Sequence, residues 1–281
     1  MIHRNRDLRF SRSPLFIRLF LPLALVIALF APMNFVLVTP GPATGLFPKV
    51  LSIQEGPGVT IYPVKGQLNL LTIYVTNPES YVFGAEILGC WIWGDCVAMP
   101  RSVMYQDGAT DDEEFKSGKK DMVESQNIAL DAAKSAIARN FSGIDLAAVK
   151  DSSVKVSLKN TGGPSGGLIF TLGLVDLLTS EDLIQGRNIA GTGTIEEDGT
   201  VGPIGGVTEK IIGAKRAGAT ILFISTQNCS ELPSKVEGIQ VIAVEKIDQA
   251  IEYLREPFLM GKTKGGELNS AGIRGCASVG A

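Results

Sequence analysis

The sequence predicts an α/β fold, of layered α+β type, following a single N-terminal transmembrane helix. Three observations carry this. From about residue 152 short apolar segments of strand character alternate with helical ones, the pattern of a layered α/β domain. An uncharged apolar run, LFLPLALVIALFAPMNFVLV, spans Leu19 to Val38 behind a cluster of arginines. Of the 281 residues 45% are hydrophobic and 20% charged, enough to bury a core.

The elements follow in chain order. Residues 1–18 carry Arg4, Arg6, Arg9, Arg12 and Arg18 against one acid, Asp7. An apolar run of ~20 residues suffices to span a bilayer, and membrane helices tolerate prolines such as Pro22 and Pro32. The arginines place their side in the cytoplasm. The expectation is a cytoplasmic segment 1–18, a transmembrane helix 19–38 and an extracytoplasmic remainder. A cleaved signal peptide competes with this, but no clear small-residue cleavage site follows the run. A buried core helix is the other alternative.

Residues 40–150 form an extracytoplasmic strand and helix region. Val59, Ile61 and Val64, then Leu68, Leu70, Ile73 and Val75, read as two strands joined at Lys65-Gly66-Gln67. Residues 76–118 show no strong period. They hold an apolar aromatic patch from Tyr81 to Trp93, expected to be buried in the domain, with a membrane or partner contact as the alternative. Residues 119–140 repeat apolar positions near the helical period, and Gly143 closes that helix.

Within 151–258 strands are expected at 154–158, 188–195, 201–204, 221–224 and 241–244. Helices are expected at 168–178, 206–217 and 247–254. Residues 259–281, rich in Gly, Ser and Lys, read as a disordered tail. Of the four cysteines, Cys90 and Cys96 are close enough in sequence to form a disulfide in an oxidising compartment. Cys229 and Cys276 have no obvious mates, and buried or unpaired thiols stay open for all four.

Composition also excludes chemistries. A net charge of −3 gives no reason to expect a nucleic-acid partner. The sole histidine, His3, lies in the basic N-terminal segment. Ser-His-Asp triads, Cys-His dyads and H-E-x-x-H zinc sites all need a histidine inside the fold. No C-x-x-C pair, Walker motif or complete dinucleotide motif is present, so neither a metal nor a cofactor is expected.

What remains is a serine. Gly162-Gly163-Pro164-Ser165-Gly166-Gly167 lies between a strand and an apolar helix. A helix N-terminus offers unpaired N–H groups and a favourable dipole for an oxyanion. Pro164 has no N–H, so the donors would be Ser165 and neighbours such as Gly163. A strand-to-helix turn capped by Ser165 is the plainer alternative. Without histidine, a nucleophilic serine needs a lysine base of lowered pKa. Lys210, in Gly205-Gly206-Val207-Thr208-Glu209-Lys210, is the best placed, with a surface lysine paired to Glu209 as the alternative. Thr192 on the preceding strand could hydrogen-bond the amine.

These residues carry a resemblance. GGPSGG (162–167), AGTGTI (190–195) and DGTVGPIGGVTEK (198–210) closely resemble the proteolytic domain of the Lon (S16) serine proteases, across about 152–255. The resemblance implies Ser165 as nucleophile, Lys210 as base, Thr192 as the threonine bonding near that lysine, and Gly163 and Gly166 as supporting residues. Gly166 stands where the family usually has alanine, a lost methyl expected to be tolerated. Segments VLVTPGPA and YPVKGQLNLLTIYVT are similar to the membrane-anchored bacterial Lon-like proteases. Those typically carry a PDZ domain, for which the dozen residues between the 119–140 helix and the 152 strand leave no room. Rings are common in the family, making a homo-oligomer possible.

The expected function is an ATP-independent, membrane-anchored serine endopeptidase acting on extracytoplasmic or membrane-proximal protein and peptide substrates. A catalytically inactive membrane-tethered binding protein is the alternative. A scaffold using the Tyr81–Trp93 patch is a third reading.

Overall fold

The computed structural model describes residues 15–158, 161–256 and 273–276. In chain order the elements are α1 (Leu15–Phe30), β1 (Pro32–Met33), β2 (Phe35–Pro40), β3 (Thr44–Gly45), β4 (Leu51–Ile53), β5 (Gln67–Leu70), β6 (Ile73–Val75), β7 (Val82–Phe83), α2 (Gly84–Trp93), β8 (Val97–Pro100), α3 (Arg101–Met104) and α4 (Asp111–Asn140). After them come β9 (Val154–Val156), α5 (Gly167–Leu178), β10 (Asn188–Gly191), β11 (Thr194–Ile195), β12 (Val201–Gly202), α6 (Val207–Arg216), β13 (Ile221–Ser225), β14 (Gln240–Val244), α7 (Ile247–Arg255) and β15 (Ile273–Arg274).

The main sheet has six strands in the order β15-β14-β13-β10-β5-β3, parallel except for the β3–β5 edge pair. Its central strands are covered on both faces, so they read as near-continuous apolar runs. Along β13 the pleat sends Ile221 and Phe223 into one core with α5 and α7, and Leu222 and Ile224 into a second core under α6. Helix α5 is buried at every residue, packed between the sheet and α4. Strands β3 and β5 belong to this sheet, so residues 40–150 share a core with the chain beyond 151.

A second sheet, β6-β2-β8, is antiparallel, with β6 at one edge. It rests against α6 through β2.

Several expectations change. The single helix expected over 19–38 does not form: α1 ends at Phe30, and residues 35–40 are the central strand of the second sheet. Pro32, which lacks an N–H, ends the helical ladder, and β-branched Val36 and Val38 are buried as strand residues. Among the described residues no helix is long and apolar enough to cross a membrane. The basic segment up to Ser13 and Pro14 lies outside the described residues.

Residues 59–64 form no strand beyond a single bridge from Val59 to Gly56. Helix α4 starts eight residues earlier than its apolar period, at a capping box in which Thr110 Oγ1 accepts from Glu113 N–H and the Glu113 carboxylate accepts from Thr110 N–H. The aromatic patch is not buried: Tyr81, Trp91 and Trp93 are 72%, 81% and 78% exposed.

Both cysteine pairs are bridged. Cys90–Cys96 ties α2 to the start of β8, and Cys229 does have a mate, Cys276, 47 residues on. That bridge pins β15 to the sheet edge. The expected tail is therefore structured at 273–276, and the rest of it lies outside the described residues.

Candidate active site

Ser165 ends a loop that is sewn to two neighbours. On one side is α4. Gly163 N–H donates to the Gly118 carbonyl at 2.7 Å, and Ser125 Oγ donates to the Pro164 carbonyl at 3.0 Å. A Cβ at Gly162 would come within 2.9 Å of the Gly118 backbone, so only glycine allows this approach. Gly163 itself has φ +87°, in the left-handed region.

On the other side is the break between β10 and β11. Here the strand expected over 188–195 is interrupted at Thr192-Gly193. Gly193 N–H donates to the Ser165 carbonyl at 2.9 Å, and Leu168 N–H donates to the Gly193 carbonyl at 3.1 Å. The flanking glycines are required by packing: a Cβ at Gly191 would press on Ile169 and one at Gly193 on Val201. The A-G-T-G-T pattern is thus the imprint of α5 lying directly on the strand break.

Lys210 projects from the first turn of α6, whose N-cap Gly206 adopts φ +69°. The residue is 3% exposed. Its Nζ donates to Thr192 Oγ1 at 3.1 Å, and Thr192 Oγ1 donates in turn to the Ser165 carbonyl at 3.2 Å. Burial pushes the lysine down from 10.5 to about 8. The positive end of the α6 dipole acts in the same direction on an ammonium there. The alternative of a surface lysine paired with Glu209 is not what forms.

Ser165 and Lys210 line one cavity of about 690 Å³. Leu70, Met104, Met122 and Ile73 supply its apolar wall, and Thr161, Gly162 and Gly163 its polar rim. Strand β6 lies along it. As the end strand of its sheet, β6 has one backbone edge that, among the described residues, is not paired to another strand.

The oxyanion assignment is corrected. Gly163 N–H is taken by Gly118, Gly167 N–H by the Pro164 carbonyl and Leu168 N–H by Gly193. Among the described residues, the N–H groups of Ser165 and Gly166 have no such backbone partner. The methyl missing at Gly166 leaves no gap, as its expected tolerance requires. A Cβ there would lie 2.7 Å from the Phe170 ring and 2.9 Å from Leu70, so these two side chains occupy the space of the missing methyl.

Sequence reasoning missed Ser125 and Gly118. Ser125 could have been found as a polar residue on the buried stripe of α4 that carries Met122, Ala129, Ala132 and Ala136. Among the described residues no group of three or more His, Cys, Asp or Glu could hold a metal ion.

The structure thus brings a buried lysine amine and a half-buried serine at a helix start to one cavity, with Thr192 bonded to the amine on one side and to the Ser165 backbone carbonyl on the other. The model of the Lon protease (S16) C-terminal proteolytic domain matches residues 115–256, and the chain belongs to that family. The match begins inside α4, well before residue 152, in keeping with the role of α4 in bracing the serine loop.

Among relatives, Lon protease 2 of Herpetosiphon aurantiacus is 34% identical over 150 residues, 50% of this chain and 18% of its own length. Lon protease of Koribacter versatilis is 40% identical over 96 residues, 32% of this chain and 11% of its own. The mitochondrial Lon protease homolog of Debaryomyces hansenii is 38% identical over 139 residues, 47% of this chain and 13% of its own. The chain therefore spans less than a fifth of each of these relatives.

Proposed function

We propose that the chain is a membrane-anchored serine endopeptidase that cleaves peptide bonds with a Ser165–Lys210 dyad and without ATP. The observation that carries this is the buried Lys210 amine, held by Thr192 in the cavity that Ser165 lines.

A neutral amine has two N–H bonds and one lone pair. One N–H goes to Thr192 Oγ1, which leaves the lone pair for the Ser165 hydroxyl proton. Ser165 Oγ attacks the scissile carbonyl carbon as its proton passes to Nζ. The resulting oxyanion is held by the N–H groups of Ser165 and Gly166. The carbon–nitrogen bond then breaks, with the Lys210 ammonium protonating the leaving amine. Water attacks the acyl-enzyme, gives a proton to Lys210 and releases the acid, and the serine recovers its proton. The open edge of β6 supports an extended peptide as substrate, paired strand to strand beside Ser165.

The sequence holds no G-x-x-x-x-G-K-[ST] motif, which supports cleavage of already unstructured segments without ATP. The anchor is α1. Its 16 residues give about 24 Å of helix, uncharged from Leu19 to Phe30, and bilayers thin locally around short spans. The N-terminal arginines support a cytoplasmic N-terminus, and the two disulfides support an oxidising, extracytoplasmic location for the rest. A homo-oligomer is part of the same proposal by family resemblance.

The test is labelling of the full chain by a serine-reactive phosphonate, together with hydrolysis of an unstructured peptide with and without ATP. Labelling confined to Ser165 and ATP-independent hydrolysis are expected. A chain that neither reacts nor cleaves is the inactive binding protein instead.

A further inference from the structure

Beyond Arg18 in its first turn, helix α1 carries no charge from Leu19 to Phe30. Phe20, Leu21, Leu25, Val26 and Ile27 are all exposed, and at 100° per residue they are spread around the whole circumference of the helix. A protein groove covers one stripe of a helix, whereas a lipid phase covers all of it. Its last turn is fixed to the catalytic domain. It runs into β1, which pairs with β7, and β7 leads directly into α2, where Gly84 sits against the Ala28 carbonyl. A side chain at position 84 would not fit.

Helix α2 therefore begins where α1 leaves the domain, and it ends on Trp91, Ile92 and Trp93, all exposed. Tyr81, just ahead of β7, is exposed beside it in sequence. Tryptophan and tyrosine favour the membrane interface because their rings are apolar while their N–H and O–H stay hydrated. The acid that follows the patch, Asp95, is paired to Arg216 at 2.8 Å, and Glu86 caps α2 through the Phe83 N–H. The arginines flanking α1 on its other side complement anionic headgroups.

We propose that Trp91, Ile92 and Trp93 form a second membrane contact, seating the catalytic domain on the interfacial layer of a phospholipid bilayer. The proposal rests on α1 being a membrane anchor. It goes further in giving the domain a fixed seat rather than a free tether. Substrates would then be segments that emerge close to the bilayer surface.

Both tryptophans of the chain lie in this patch, so tryptophan emission reports on it alone. The full chain is reconstituted in phosphatidylcholine–phosphatidylglycerol vesicles, with and without bromine atoms placed high on the acyl chains. The expected result is blue-shifted emission that brominated lipid strongly quenches, with Trp91→Phe and Trp93→Phe each losing part of the quenched signal. Vesicle flotation with water-like, unquenched emission overturns the seat and leaves the anchor standing. Blue-shifted but unquenched emission overturns it in favour of a second copy covering the patch. Failure to float with the vesicles overturns the anchor and the seat together.

Discussion

Thr192 Oγ1 receives the Lys210 amine at 3.1 Å while giving its own proton to the Ser165 carbonyl at 3.2 Å. One hydroxyl thus fixes the lysine and the serine loop relative to each other. Replacing Thr192 by valine keeps the shape and removes both bonds. A hydrogen bond to a charged group is worth about 1.5–3 kcal/mol, so kcat should fall about 10- to 100-fold. The lost acceptor had favoured the ammonium, so the acid limb of the pH–rate profile should also move down. Thr192→Ser should restore most activity and the limb.

Lys210 acts as a base only when neutral. With its pKa lowered to about 8, peptide hydrolysis should rise with pH through that value rather than near ~10.4. The same shift affects stability. Between about 8 and 10.5 the unfolded chain binds more protons at this site than the native one, so stability rises with pH there. Lys210→Met should remove that rise and be more stable at pH 7, by on the order of 1–3 kcal/mol. Urea unfolding at pH 7 and pH 10 measures both effects.

Asp176, buried in α5, is held up at about 6 mainly by desolvation, with its carboxylate accepting from Leu183 N–H at 3.0 Å. The native state keeps this proton more tightly than the unfolded chain does. Stability from this group is full below pH 3.8 and is lost as pH rises through about 6. Asp176→Asn retains an acceptor for Leu183 and carries no charge. Its melting temperature should exceed the parent's at pH 7.5 and match it near pH 4.

Gly166→Ala places a methyl against Phe170 and Leu70. Overpacking of this kind costs about 1–3 kcal/mol. The variant should melt lower and cleave more slowly, because Gly166 N–H is a candidate oxyanion donor. Pairing it with Leu70→Val should recover stability if steric crowding is the cause.

The site was legible where local sequence carries the constraint. Ser165, Thr192 and Lys210, which the fold brings together, stand in glycine-rich segments whose packing constraints repeat as motifs. The partner of the Gly163 N–H was not legible, because only the fold shows that Gly118 claims it. Ser125 was missed for the same reason, since its partner lies 39 residues away. The apolar run at 19–38 does not signal where helix gives way to strand, because Val and Leu serve both and the β2 pairing that decides it comes from residues 73–75 and 97–100. The Cys229–Cys276 bridge depends on β15 adding to the sheet edge. Exposure of Trp91 and Trp93 runs against the usual burial of apolar side chains and was not legible from composition.

The most direct measurement is hydrolysis of a fluorogenic unstructured peptide by the full chain and by its Ser165→Ala and Lys210→Met forms, at pH 8.5 and matched concentration. With Ser165 as nucleophile and Lys210 as its base, both variants should lose at least about a thousandfold in kcat while binding the peptide normally. Parent-like hydrolysis by either variant would contradict the dyad.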